Sequence, residues 1–171
     1  MSTNTDLERA YHPLQVDATT GEPFLRLDPP YSHLVLTPLR HSDAHALISH
    51  LNNYNIARTL NGPPYPYLET DAEWFLGNQI PLSDAVLERL RQGSDPNGVP
   101  VRVLRDTSQH SVADAAMIGD CNVDRNEFAF EVADEQKRER LAKENEARNA
   151  GDPDIVYCVG GAPLAAYLAG C

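Results

Sequence analysis

Apolar residues alternate with polar ones at Leu34, Leu36 and Pro38 to Leu39, then recur at Ala44, Leu47, Ile48 and Leu51. The first spacing predicts a short strand and the second an amphipathic helix, because side chains return to one face every two residues in a strand and about every 3.6 in a helix. Ser42 is placed to cap that helix, with Asp43 complementing the dipole of its first turn, so a helix is expected over residues 42–53. A second helical turn follows over 55–60 and closes at Asn61-Gly62. Pro63, Pro64 and Pro66 then restrict the backbone of a loop that presents Tyr65 and Tyr67. Thr70-Asp71-Ala72-Glu73 has the form of a capping box, ahead of a buried stripe of Ala72, Phe75 and Leu76. Pro81 predicts a break or kink in that helix, Ser83 restarts it with Val86, Leu87 and Leu90, and Gly93 is placed to end it.

Further along, residues 99–104 and 115–123 alternate as strands, and Phe128, Phe130 and Val132 continue at period two. An antiparallel meander is the economical arrangement of the three. Residues 134–149 are almost wholly charged, with Glu139 to Lys143, Arg140 to Glu144 and Glu144 to Arg148 at i,i+4 and Asp134 as N-cap. They predict a solvated helix, stopped by Gly151-Asp152-Pro153 and followed by a strand over 155–159. Residues 1–32 carry only isolated apolar positions, such as Phe24, Leu25 and Leu27, and read as an irregular leader. The fold class expected is therefore α/β (α+β), a mostly antiparallel sheet flanked by helices.

A chain of 171 residues, 42% hydrophobic, suits one domain with a moderate core. The 25 acidic against 14 basic residues leave a formal charge of -11. Nucleic acid and anionic membrane surfaces are repelled by that charge, whereas a cationic or amine-bearing partner is attracted. No segment reaches the roughly 18 uninterrupted apolar residues of a membrane-spanning helix. Three cysteines without metal-type spacing and the lack of a signal-like start predict a reduced, cytoplasmic protein.

Candidate chemistry is sparse. His41 and His45 stand at i,i+4 with His50 nearby, but the accompanying base and third ligand of a helical zinc motif are missing, so both are expected on the solvated side and no metal is expected. Ser42, His41 and Asp43 are sequence neighbours, which seldom have the mutual geometry of a catalytic triad. Cys158, between Val156 and Val159, is expected to be a buried structural thiol. The loop of Tyr65, Pro66 and Tyr67 is the best candidate for ligand contact. Its rings can pack around a peptide N-terminus, Trp74 is expected beneath it, and Asp71 with Glu73 can attract an ammonium group. Glu131, between Phe130 and Val132 on the polar side of the expected strand, is a candidate proton acceptor.

The order strand, Arg40-His41-Ser42-Asp43, amphipathic helix, Asn53-x-x-x-Ala57-Arg58-Thr59-Leu60, Gly62-Pro63-Pro64-Tyr65-Pro66-Tyr67 and Asp71-Ala72-Glu73-Trp74-Phe75 resembles the GNAT superfamily of N-acetyltransferases, in its ribosomal-protein N-acetyltransferase-like branch. The resemblance implies acetyl-coenzyme A as co-substrate, a primary amine of a protein or small molecule as acceptor, and an acceptor groove lined by the loop of Tyr65 and Tyr67. It also implies a glycine-rich pyrophosphate loop, Arg or Gln-x-x-Gly-x-Gly or Ala, between a strand and a helix. That pattern is not found. Arg148-Asn149-Ala150-Gly151-Asp152-Pro153 has its first part only, because Pro153 stands where the last small residue belongs and the segment leads from a helix into a strand. Residues 33–159 are thus expected to form an incomplete GNAT-like domain, with 160–171 as a small-residue tail. The alternative is a noncatalytic remnant or interaction module, pairing with a second copy through an exposed sheet edge.

Overall fold

The computed structural model describes residues 4–60, 62–94, 98–129, 131–149 and 151–163. They form α1 (Asn4–Tyr11), β1 (Gln15–Val16), β2 (Pro23–Arg26), β3 (Leu34–Thr37), α2 (Ala44–Leu51), α3 (Tyr54–Ala57), α4 (Glu69–Arg91), β4 (Val103–Asp106), β5 (Met117–Arg125), α5 (Glu135–Glu146) and β6 (Tyr157–Pro163). The six strands form one sheet in the order β1 to β6, every neighbouring pair antiparallel. This is the α/β class expected, a meander flanked by helices. Among the described residues, no helix is long and apolar enough to cross a membrane.

The register of β3 on β4 pairs Val35 with Arg105 and Thr37 with Val103, so these four side chains share one face, since alternate residues project to the same side. All four are fully buried. The main core lies on that face, where Leu47 of α2 and Ala72 and Leu76 of α4 meet Leu39, Tyr67, Val103 and Met117. Arg105 enters this core as an ion. Its guanidinium donates to Asp43 Oδ1 and Oδ2 at 2.8 Å each and to Thr37 Oγ1 at 2.7 Å. Asp43 also accepts the Arg40 backbone N–H at 2.8 Å, closing a 3-10 turn over His41–Asp43 that leads into α2. The expected cap at Ser42 is thereby corrected: Asp43 reaches back to Arg40, and Ser42 is exposed.

Several other expectations change for identifiable reasons. The supposed leader contains α1, β1 and β2, because Tyr11 and Val16 pack against Leu87 of α4, and Phe24 packs against Val35 and Val112. Glu22 also pairs with Arg40, whose guanidinium reaches the carbonyls of Ala113 and Val112 at 2.9 Å. Helix α4 runs through Pro81 without a break. The carbonyl deprived of its partner by Pro81 belongs to exposed Gly77, and Leu76 and Leu87 fasten the two halves to separate clusters. At its far end Gly93 takes φ +66° and Ser94 N–H bonds the Arg89 carbonyl, the helix stop expected there.

The strand expected at Phe128 and Val132 is absent, and Phe130 lies outside the described residues. Asn126 Oδ1 accepts the Phe128 N–H at 2.6 Å, Phe128 takes φ 57°, and Val132 N–H turns back to the Phe128 carbonyl. An Asx turn thus ends β5. Helix α5 begins at Asp134 as expected, whose Oδ1 accepts the Lys137 N–H at 2.8 Å. Asn145, 3% exposed, fastens its other end: Nδ2 donates to the carbonyls of Asn126 at 3.1 Å and Val156 at 2.8 Å, and Oδ1 accepts the Val156 N–H at 2.9 Å. Strand β6 extends past the expected 155–159, so Gly160 to Pro163 pair with β5 rather than starting a tail, and 164–171 lie outside the described residues. Cys158 is exposed, not buried.

Candidate functional site

Helix α2, the proline loop, the start of α4 and the sheet enclose a cleft of about 420 Å³. Helical spacing builds its first wall, because Leu47, His50 and Leu51 fall on one face of α2. Asn52 then turns the chain into the loop and holds the loop's far end. Its Nδ2 donates to the Tyr67 carbonyl at 2.7 Å and its Oδ1 accepts the Tyr67 N–H at 2.9 Å, so a side-chain amide supplies both bonds that a strand partner would give. Gly62, at φ +128°, allows the turn after α3 that only glycine adopts readily.

The loop contributes Pro63, Pro64 and Tyr67 to the cleft. Tyr67 is 5% exposed, and burial, followed by the nearby Asp71 charge, raises its phenol pKa, so the ring is a neutral wall. Helix α4 begins at Glu69, two residues before the expected start, because Asp71 Oδ2 accepts the Leu68 N–H at 2.8 Å. Asp71 therefore does the capping assigned to Thr70, and it lines the cleft at the positive end of the helix dipole. About one turn on, Trp74 and Phe75 form the next wall. The floor is Met117 with an ion pair: Arg102 Nε and Nη2 donate to Asp120 at 2.7 and 2.6 Å, and Nη1 donates to Gln79 Oε1 at 3.0 Å.

Of the residues singled out in the sequence, Tyr67 and Asp71 meet in this cleft. Tyr65 is 62% exposed and Pro66 is exposed, and neither lines it; Glu73 is exposed outside it. Trp74 does not pack beneath the loop but stands 72% exposed at the cleft. Glu131 sits in the turn after β5, where it accepts from Asn126 Nδ2 at 3.1 Å, away from the cleft-lining residues. The expectation for Glu131 required a strand that the Asx turn prevents. His41 and His45 are exposed, as expected.

His50 was missed as a site residue. Its signal was present in the sequence, since it stands three residues after Leu47 and one before Leu51 on the apolar side of α2. Burial lowers its pKa below the ordinary 6.5, so it is a neutral imidazole at neutral pH. As pH falls below 6.5 the unfolded chain takes up this proton before the folded one does, so the contribution to stability is complete above 6.5 and is lost as pH falls toward the folded value. Urea midpoints taken between about pH 7.5 and about pH 5 are expected to decline less in His50→Gln than in the parent chain. An identical decline in both would show that His50 is not desolvated. Compared with family models, with curated proteins and with solved structures, the chain finds no match in any of the three.

Proposed function

We propose that this chain is the acceptor-binding part of a GNAT-like N-acetyltransferase, and that the cleft holds the primary amine of the acceptor. The observation that carries the reading is the meeting of the Asp71 carboxylate and the neutral His50 imidazole on an otherwise mostly apolar cleft, within the segment that resembles the family. Asp71 attracts the ammonium form. His50 accepts its proton, giving imidazolium and a neutral amine whose nitrogen lone pair is then free for acyl transfer. The net charge of -11 favours arrival of such a cation, and a cytoplasmic location agrees with the unpaired Cys121 and Cys158.

Acetyl-coenzyme A is the donor that the resemblance implies, and the described residues do not fit its pyrophosphate. Arg148, in the segment nearest the glycine-loop pattern, is already engaged by Asp152 at 3.4 Å and Asp154 at 3.5 Å, two carboxylates that repel phosphate. This observation favours a second reading, a noncatalytic amine-binding module. Trp74 is the chain's one tryptophan and lines the cleft, so its fluorescence reports occupancy. Titration with a mixed set of primary amines, together with a radiolabelled acetyl-transfer assay, separates the readings. Binding with transfer supports the enzyme, binding without transfer supports the module, and neither signal sinks both.

A further inference from the structure

We propose that the cleft selects a small free amine whose single cationic group is joined to a bulky apolar body, and discriminates against polyamines and amino sugars. This rests on the reading of the cleft as an amine site. Charge is concentrated at one end. Among the described residues Asp71, at the first turn of α4, makes no ion pair and its Oδ2 accepts the Leu68 N–H, whereas both oxygens of Asp120 are held by Arg102. A second ammonium reaching the floor would meet the Arg102 guanidinium and the Asp120 oxygens already taken. Its lost hydration would go uncompensated.

Away from Asp71, the floor pair and the two neutral polar residues His50 and Asn122, the walls are Leu47 and Leu51 on one side, Trp74 and Phe75 on the other, and Met117 below. These surfaces reward an alkyl or aromatic body and give hydroxyl groups few partners. Trp74, one helical turn after Asp71 and lining the same cleft, offers an aromatic ring to a cation held there. The volume of about 420 Å³ lies toward the lower part of the range for small-molecule sites, which favours a free amine over a long peptide.

The test is titration of the full chain, by Trp74 fluorescence and by calorimetry, with phenethylamine, putrescine, 3-phenylpropionate and a phenylalanine-first tripeptide amide. Phenethylamine is expected to bind at least about tenfold more tightly than putrescine or 3-phenylpropionate, a gap of the size one lost charge or one unburied ring produces. In Asp71→Asn, which keeps an oxygen for the Leu68 N–H, phenethylamine is expected to weaken about tenfold while circular dichroism is unchanged. Putrescine binding as tightly as phenethylamine would overturn the selectivity and leave the amine site standing. Tighter binding of the tripeptide would overturn the small-molecule assignment. Failure of every amine to bind would overturn the amine reading itself.

Discussion

Arg105→Ala is expected to lower the free energy of unfolding by about 3–5 kcal/mol, the cost of stranding a buried charge without its partner. The stranded group is Asp43, 3% exposed, which would lose two guanidinium hydrogen bonds and, among the described residues, keep the Arg40 N–H alone. Thr37 Oγ1 and the Ala115 carbonyl lose a donor at the same time. Urea denaturation measures the change. The comparison that identifies the mechanism is the double substitution Asp43→Leu with Arg105→Met, which removes both charges and is expected to recover most of the loss, because an apolar pair of similar volume escapes the desolvation penalty. A double variant as unstable as Arg105→Ala would mean that geometry at the 3-10 turn, not the unpaired charge, sets the cost.

Leu76→Ala is expected to cost about 2–5 kcal/mol, as deletion of a fully enclosed leucine leaves a cavity that the surroundings fill only in part. Leu76 is 2% exposed and packs where α4 crosses the sheet, with Ala72, Val103 and Met117 in the same cluster. Leu82, six residues on and 60% exposed, is the internal control, and its replacement by alanine is expected to change stability by no more than about 0.5 kcal/mol. Thermal unfolding of both variants measures the contrast. Equal losses would contradict the assigned face of α4.

The two results test what was legible in different ways. The stripe of Ala72, Phe75 and Leu76 could be read because a helix repeats its face locally, and β4 and β5 of the antiparallel meander could be read because their residues alternate. Arg105 could not. It lies in a strand pattern where a cation reads as solvent-facing, and its partner Asp43 is 62 residues away, brought to it only by the pairing of β3 with β4. The Arg102–Asp120 pair on the cleft floor depends likewise on β4 meeting β5, which sets Asp120 opposite Val103. Glu131 failed for the opposite reason: period-two apolar spacing around it was outweighed by one local hydrogen bond, Asn126 Oδ1 to Phe128 N–H. Caps were displaced by one or two residues because carboxylates at Asp43 and Asp71 reach backward, which makes the acid and not the hydroxyl the better marker of each start.

Asn52 and Tyr67 have a consequence for how the chain can change. Their paired bonds tie the two ends of segment 53–66 together independently of what lies between them. That segment is therefore a cassette. Replacement of its exposed residues 62–66 is expected to give the cleft a different rim, provided Ile56, 6% exposed, is kept, while the sheet, the buried ion pair and the α2–α4 core remain as they are.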